Sequence, residues 1–232
     1  MKLSQRLLTC AELVIPGNSA ADVGTDHGFL AIYLLENGIC PEVIASDLRE
    51  KPLEAARRNA LASSVGDRIT FCLSDGLKNV PVERVRTVIL AGMGGDLIAS
   101  ILTGGKSVWN PDYQFILQPQ SGVYDLRRFL GENGFVIREE RFASDGGFIY
   151  TVMDVRWGGG KPFSPAECFF PQGKADRESP LYARYMERTL ESVKKTVAGL
   201  AQARHRDPER EAYFRQALGA LKDWEDNNDN GK

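Results

Sequence analysis

The stretch Ala20-Ala21-Asp22-Val23-Gly24-Thr25-Asp26-His27-Gly28-Phe29 decides which fold the chain is expected to adopt. Its first five residues form a short, mostly apolar run that ends in glycine, as a buried strand does where it enters a turn. Residues 29–36 then have the composition of a buried helix, and Asn37-Gly38 is a typical helix end. A strand, a glycine turn and a helix in this order predict the first unit of a parallel α/β sheet.

The same alternation continues along the chain. A helix is predicted at 3–14, further strands at 43–47, 69–72, 87–91 and 115–118, and further helices at 51–61, 96–102 and about 124–132. Residues 92–95 are expected to form a loop, and 136–141 with 148–155 an antiparallel pair that closes the sheet. The expected fold is therefore α/β, a Rossmann-like doubly wound sheet that is buried on both faces.

The composition changes after Trp157, where Gly158-Gly159-Gly160-Lys161-Pro162 is typical of a linker. Apolar residues at helical spacing then run from Tyr182 to Leu200, and Asp207-Pro208 is a typical start of another helix. We therefore predict a sheet domain at 1–157, a linker at 158–180, a coiled-coil-like helical hairpin at 181–225 and a disordered tail at 226–232.

The composition also restricts the class of protein. The chain has 232 residues and a formal net charge of −2, so it is not a globally basic nucleic-acid binder. It has no apolar run near the 18 or so residues that a membrane helix needs, and polar residues interrupt its apolar N-terminus, unlike a signal peptide. We therefore expect a cytoplasmic protein with no membrane partner.

The cysteines and histidines give no metal pattern. Cys10, Cys40, Cys72 and Cys168 include no C-x-x-C pair, and the chain has only two histidines. We therefore expect free thiols and no metal site. His27 lies inside the glycine turn, where a structural hydrogen-bonding role is a more common alternative to a general base.

The glycine turn is a candidate cofactor site formed by Gly24, Thr25, Asp26, His27 and Gly28, since a turn that enters a helix presents backbone N–H groups to a ligand. A dinucleotide fingerprint would need glycines at 26 and 29, and the carboxylate at 26 would repel a pyrophosphate. The sulfonium and ammonium groups of S-adenosylmethionine (SAM) tolerate a carboxylate. The turn therefore favours SAM over a dinucleotide.

Further strand ends belong to the same candidate site. Asp47-Leu48 ends the second strand, where an acid binds a ribose diol, and Asp75-Gly76 follows the third, where it could accept an adenine amino group. Gly92-Met93-Gly94 follows the fourth strand and offers bare backbone beside a methionine that can pack on adenine. The fifth ends in Gln118-Pro119-Gln120, whose amides can contact a base edge. Ordinary turns, a tight crossover and a polar loop are the alternatives.

Several motifs together resemble one family. They are VGTDHGFLAIYLL at 23–35, IASDLREKPLEAARRN at 44–59, SDGL at 74–77, LAGMGGDLI at 90–98 and LQPQ at 117–120. In this order and spacing they are similar to the bacterial tRNA (adenine-22-N1)-methyltransferases, over about residues 2–155. The chain departs from the family at Gly28-Phe29-Leu30-Ala31, usually Ala-Tyr-Leu-Pro, at Ser74, usually Gly, and at Gln120, usually Asn.

The resemblance implies a class I SAM-dependent methyltransferase domain, a helical second domain and tRNA as the substrate. N1 of neutral adenine carries a free lone pair, so the site chiefly positions the reactants. Asp26 would stabilise the cationic product ring, and Gln118 and Pro119 complete the expected catalytic set. Because N1 lies on the pairing edge, the nucleotide must be unpaired or flipped out.

The tRNA-binding residues are expected among exposed cations and amides, for which a solvated helical face is the alternative. They are Arg6, Gln120, Arg127, Arg188, Lys194 and Lys195, with Arg128, Arg184, Arg204 and Arg206 as further candidates. Residues 177–222 carry 10 basic against 6 acidic side chains, so part of a nearly neutral chain can dock on phosphates.

Other functions stay open on the sequence alone. They are a methyltransferase for another substrate, a nicotinamide-dependent oxidoreductase, and a non-catalytic module that binds SAM or RNA. No obligate protein partner is evident, and we expect a monomer or weak dimer.

Overall fold

A computed structural model describes residues 3–203, 205 and 207–229, and in this part of the chain it contains one eight-stranded sheet. The strands are β1 Ala20–Val23, β2 Val43–Asp47, β3 Ile69–Leu73, β4 Thr87–Gly94, β5 Gln114–Ser121, β6 Phe135–Asp145, β7 Phe148–Trp157 and β8 Lys174–Ala175. Their order is β3-β2-β1-β4-β5-β7-β6-β8, and β7 runs antiparallel to β5 and β6. The predicted Rossmann-like fold and its closing antiparallel pair are confirmed.

Helices cover both faces of the sheet. They are α1 Gln5–Leu13, α2 Phe29–Glu36, α3 Glu50–Leu61, α4 Gly95–Gly104, α5 Val123–Glu132, α6 Pro180–Ala201 and α7 Pro208–Asp229. Within the described ranges, no helix is long and apolar enough to cross a membrane. The predicted helices agree with these bounds to within one or two residues, except at the end of α7.

Alternate residues of the central strands enter two separate cores. Ala20 packs into the core that contains Leu13 of α1 and Leu30 of α2, whereas Ala21 packs with Ile98 of α4 on the other face. This explains why β1 and β2 are buried at every position. The edge strand β3 is only partly buried, so the expectation of burial on both faces was wrong there.

Two strands continue beyond their predicted ends. The segment 92–95 was expected to be a loop, but β4 runs to Gly94, and β5 runs to Ser121 instead of ending at Gln118. The two extensions pair with each other through a shifted register, with Met93 opposite Pro119. A proline is tolerated there because the pairing of β5 with β7 has already ended at Leu117.

The predicted linker at 158–180 is largely an ordered part of the fold. Glu167–Phe169 forms a short 3-10 helix, and β8 adds to the sheet beside β6. Cys168 and Phe169 are buried in a third apolar cluster, together with Tyr182 and Met186 of α6. This segment therefore packs the hairpin against the sheet, and even at its glycine-rich start the backbone N–H groups of Gly158 and Gly160 both donate to the Gly134 carbonyl.

The hairpin begins and turns as the sequence predicted. Ser179 caps α6, and the Asp207 side chain accepts a hydrogen bond from the Arg210 backbone N–H at the start of α7 (3.0 Å). The predicted tail was wrong at 226–229, because α7 continues through Asp229. Residues 230–232 of that prediction lie outside the described residues.

A buried ion pair fastens this assembly. Arg127 of α5 donates to both carboxylate oxygens of Glu140 on β6, at 3.0 and 2.8 Å. It also donates to the Cys168 carbonyl and to the Tyr185 hydroxyl of α6. Burial opposes its charge, but Glu140 holds the pKa of Arg127 above its ordinary value. Arg127 is completely buried, so its prediction as a tRNA-binding residue was wrong.

Candidate functional site

A cleft of about 750 Å³ opens at the carboxyl ends of the parallel strands. It is bounded by α1 and by the segments that follow β1, β2, β3 and β4, where ligands bind in open α/β sheets. The predicted residues that line it are Gly24, Thr25, Asp26, His27, Asp47, Leu48, Asp75, Gly76, Gly92, Met93, Arg6 and Gln120. Four other predicted residues, Gly28, Gly94, Gln118 and Pro119, do not line it.

The turn after β1 has an unusual backbone. Gly24 has φ +80°, and the next acid, Asp26, has φ +48°, which side-chain-bearing residues rarely adopt. The backbone N–H groups of Gly24 and Thr25 both donate to the Ser46 carbonyl, at 2.8 and 2.9 Å. These two amides are therefore used within the protein and are not available to a ligand.

Asp22 forms the buried floor of the cleft. Its carboxylate accepts a hydrogen bond from the Thr25 hydroxyl at 2.6 Å. Burial raises the pKa of Asp22 to about 6, the Thr25 hydrogen bond opposes this, and the negative charge of Asp47 adds to it. The aspartates predicted at the strand ends therefore lie around one cleft. The most buried of them is Asp22, and its raised pKa means that it loses its proton less readily.

Asp47 lies at the end of β2 with its carboxylate almost fully buried. One of its oxygens, Oδ1, accepts a hydrogen bond from the Arg49 backbone N–H at 2.9 Å. That bond fixes the side chain against the cleft and leaves Oδ2 for a ligand hydroxyl. This geometry fits the predicted role as a partner of a ribose diol.

Asp26 and His27 stand at the mouth of the cleft. The Asp26 side chain is 66% exposed, and its Oδ2 atom lies 3.6 Å from His27 Nε2. The His27 ring stacks on Phe29 with centroids 5.4 Å apart, and its backbone carbonyl accepts a hydrogen bond from Asn59. The contacts of His27 thus fit a structural role.

Gln118 acts from beneath the cleft wall. Its Oε1 atom accepts hydrogen bonds from Arg6 Nη1 (3.1 Å) and from the Gly92 backbone N–H (3.0 Å), and its Nε2 donates to the Pro119 carbonyl. Its amide is therefore occupied, and its side chain is buried. Gln118 and Pro119 do not face the cleft as the predicted catalytic set required; Gln118 instead positions Arg6 and Gly92.

The segment after β3 is held by serine. The Ser74 hydroxyl donates to the Gly76 carbonyl at 2.8 Å and accepts from the Asn79 backbone N–H at 3.0 Å. The exposed carboxylate of Asp75 forms an ion pair with Lys78. The departure from the family's usual glycine at Ser74 thus adds a brace to the turn.

The N-terminal wall of the cleft is not apparent from the glycine motifs. Leu3 and Ser4, the two residues before α1, line it together with Leu7 of that helix, and Leu97 and Ile101 of α4 also line the cleft. Among the described residues, the buried Ser4 hydroxyl has no hydrogen-bond partner. Four residues of the sequence LSQRL at 3–7 contribute to the cleft, namely Leu3, Ser4, Arg6 and Leu7.

The cations predicted to bind tRNA differ in their exposure and in whether they form ion pairs. Lys195 and Arg188 are exposed on α6, whereas Lys194 forms ion pairs with Glu191 and Glu225. Arg204 and Arg206 lie outside the described residues. Within the described part of the chain, no group of three or more His, Cys, Asp or Glu side chains is arranged to hold a metal ion.

An open parallel sheet with an acidic, glycine-walled cleft at its strand ends defines a Rossmann-like enzyme that binds a nucleoside-containing cofactor. A family model described as "Methyltransferase domain" matches residues 3–153. The chain belongs to this methyltransferase family, and it is similar to curated tRNA methyltransferases. The nicotinamide-dependent alternative is not supported.

The relatives are similar over the sheet domain. The chain is 32% identical to the tRNA (adenine(22)-N(1))-methyltransferase of Bacillus subtilis over 153 residues, which are 66% of this chain and 64% of that protein. It is 33% identical to a protein of Mycoplasma pneumoniae assigned as a tRNA methyltransferase, over 66% of this chain and 71% of that one. The chain thus covers a little under two thirds of the Bacillus protein.

Solved structures extend the similarity to the hairpin. The B. subtilis M1A22 tRNA methyltransferase TrmK has a TM-score of 0.82 and 25% identity, over 96% of this chain and 98% of that one. A Streptococcus pneumoniae protein assigned as a tRNA (m1A22) methyltransferase, in complex with SAM, has a TM-score of 0.80 and 28% identity, over 96% and 99%.

Proposed function

We propose that the chain transfers a methyl group from SAM to N1 of adenine 22 in tRNA. The observation that carries the proposal is the acidic, glycine-walled cleft, in a chain whose sheet and hairpin both match solved proteins of this kind. Four aspartates line the cleft, Asp22, Asp26, Asp47 and Asp75, which suits a cationic cofactor and opposes a pyrophosphate.

The cleft wall fits SAM on steric grounds as well. A Cβ atom at Gly24 would overlap the methyl group of Met93, and one at Gly92 would come within 3.3 Å of Arg6 Nη1. Side chains at these positions would therefore fill the cleft or displace its wall. Asp47 would hold the ribose and Asp75-Gly76 the adenine, and the partnerless Ser4 hydroxyl offers one more polar contact.

SAM supplies an electrophilic methyl group on its sulfonium, whose sulfur becomes neutral when the methyl group leaves. The residues of the chain then have two tasks, to align the adenine and to stabilise the positive ring that forms. Asp26 suits the second task, since it is the exposed carboxylate at the mouth of the cleft. Gln118 supports the first task through Arg6 and Gly92.

Methyl transfer into defined RNA tests the proposal. The protein is incubated with methyl-tritiated SAM and a tRNA transcript that has adenine at position 22, and the nucleosides are then separated. We expect label in 1-methyladenosine and none with a transcript that has guanine at that position. Label in another nucleoside, or equal label in both transcripts, would refute the assigned acceptor.

The proposal also covers the compartment and the oligomeric state of the enzyme. With tRNA as its substrate we place it in the cytoplasm, as a monomer or weak dimer, without an obligate protein partner. Light scattering across a hundredfold range of protein concentration tests the oligomeric part. A constant dimer mass over that range would contradict it.

A further inference from the structure

A second cavity, of about 330 Å³, lies between the hairpin and the sheet domain. We call it the hairpin cavity. Its wall is formed by the start of α5, the start of β7 and the facing sides of α6 and α7. Its lining includes Tyr124, Arg127, Arg188, Arg210 and Phe214.

The hairpin cavity is basic. Three arginines line it and no aspartate or glutamate does. Arg127 is neutralised by Glu140, so the charge that remains for a ligand belongs to Arg188 and Arg210.

Neighbouring cations on the same surface are already paired. Arg128 pairs with Asp125, Lys194 with Glu191 and Arg215 with Glu211. Among the described residues, neither Arg188 nor Arg210 forms such an ion pair. Arg188 donates one hydrogen bond, to the Gly147 carbonyl at 3.1 Å, and the Arg210 guanidinium lies 5.9 Å from the centre of the Phe214 ring.

Arg210 also borders an acidic part of the surface. There a separate depression contains Asp125, Asp207 and Glu209. Asp125 is paired with Arg128, and Asp207 accepts the backbone N–H that starts α7. The inner side of Arg210, which belongs to the hairpin cavity, is therefore the side on which an anion meets no competing carboxylate.

The hairpin cavity adjoins the cofactor cleft along two segments. At the end of β5, Gln120 lines the cleft and Gly122 lines the hairpin cavity, only two residues further on. In the turn between β6 and β7, Asp145 pairs with Arg6 of the cleft, and the Gly147 carbonyl accepts from Arg188 of the hairpin cavity. A strand whose nucleotide enters the cleft can therefore reach the hairpin cavity with a neighbouring phosphate.

We propose that the hairpin cavity binds a phosphodiester group of the RNA strand next to the target adenine, through Arg188 and Arg210. The inference rests on the proposed function, because it takes RNA as the substrate. Two arginines that have no carboxylate partner suit a phosphate, since the guanidinium fork matches the phosphate oxygen atoms. The site thereby anchors the strand while the target base occupies the neighbouring cleft.

The double variant Arg188→Gln/Arg210→Gln tests the site through the salt dependence of binding. Fluorescence anisotropy measures the Kd for a labelled tRNA transcript with adenine at position 22, at several salt concentrations. The loss of one phosphate contact lowers the slope of log Kd against log salt by about 1, so we expect the double variant to lower it by about 1. At low salt we expect binding to weaken about tenfold or more, and Arg188→Lys/Arg210→Lys to restore most of the slope.

A matched control removes two exposed arginines that line neither cavity, as Arg58→Gln/Arg84→Gln. This variant should leave the slope unchanged. SAM affinity and the melting temperature show whether each variant is folded, and Arg210→Gln alone avoids the loss of the Gly147 contact. An unchanged slope in folded variants of a tRNA-binding protein would overturn this site alone. Wild-type protein that binds no tRNA would overturn the proposed function with it.

Discussion

Two cavities of this molecule share one sheet and carry opposite charge. The cofactor cleft is lined by four aspartates against Arg6 and Arg49, whereas the hairpin cavity is lined by three arginines and no acid. Only the strand end at Gln120 and the turn between β6 and β7 separate them. A net charge of −2 therefore does not describe the local charge of either cavity, and the two cavities favour different partners.

The difference teaches how one small enzyme can attract both a cation and a polyanion. Acids concentrated at the strand ends favour a cationic cofactor, and they would repel an RNA backbone that came too close. Cations placed outside this zone hold the backbone at a distance at which only a base needs to enter the cleft. The position of the hairpin relative to the sheet should therefore decide whether the two cavities work together.

The largest effect is expected when the contact between the hairpin and the sheet domain is broken. Arg127→Met removes one partner of the buried pair with Glu140 and leaves a buried carboxylate uncompensated, which costs about 3–5 kcal/mol. We expect a lower free energy of unfolding in urea. Arg128→Met, next in the chain, is the control, since its exposed pair with Asp125 should contribute about 1 kcal/mol or less. Equal losses in both variants would contradict the anchoring role.

The next effect concerns charge at the mouth of the cleft. Asp26→Asn should lower kcat about 100- to 1,000-fold, because the cationic product loses its neighbouring carboxylate, with little change in SAM affinity. Asparagine also tolerates the positive φ of this residue, so the variant isolates the charge from the backbone. Single-turnover methylation of tRNA measures it. Near-normal turnover in Asp26→Asn would show that another group stabilises the product.

Asp22, at the floor of the cleft, should make the free energy of unfolding depend on pH. The pKa of Asp22 is raised to about 6 in the folded protein against an ordinary 3.8, so the folded state binds more protons than the unfolded chain between these values. The free energy of unfolding should therefore fall as pH rises from about 4 to 6, by up to about 3 kcal/mol, and then level off. Urea titrations without SAM at pH 4 and pH 8 measure this fall.

Asp22→Asn is the comparison for that pH effect. Its amide oxygen can still accept the Thr25 hydroxyl, but it has no proton to gain or lose. The variant should therefore gain stability relative to the wild type at pH 8 and little at pH 4. A difference between the two proteins that stays constant over this range would show that Asp22 does not titrate there.

The sequence predicted the cleft better than its surroundings. Strand-end acids and glycines depend on local pattern, and local pattern placed Gly24, Asp47, Asp75 and Gly92 correctly around one cleft. The extension of β4 through Met93 depends on pairing with Pro119, which is far away in the chain. Neither segment has a sequence pattern that predicts the shifted register. Gln118 was misjudged for the same reason, because its partners Arg6 and Gly92 meet it only in the folded protein.

Arg127 and Arg128 show the same limit in adjacent residues. Both are arginines of one helix, yet one is buried against Glu140 and the other pairs with Asp125 at the surface. A helix turns about 100° per residue, so neighbours face different ways, and only tertiary packing selects which one lies inside. The predicted linker contained a missed signal, since the run Cys168-Phe169-Phe170 is too apolar for an exposed spacer.

The smallest effect sharpens the role of the acidic cleft in cofactor binding. Asp47→Asn keeps an oxygen for the Arg49 backbone N–H but loses the charge and the second acceptor expected to meet the ribose diol. Hydrogen bonds to a charged group contribute about 1.5–3 kcal/mol, so calorimetry should show SAM affinity weakened about 10- to 100-fold. Asp112→Asn, at an exposed acid before β5 that does not line the cleft, is the control and should bind SAM normally. Unchanged affinity in Asp47→Asn would mean that the ribose lies elsewhere, and the acidity of the cleft would then act on the sulfonium and ammonium charges alone.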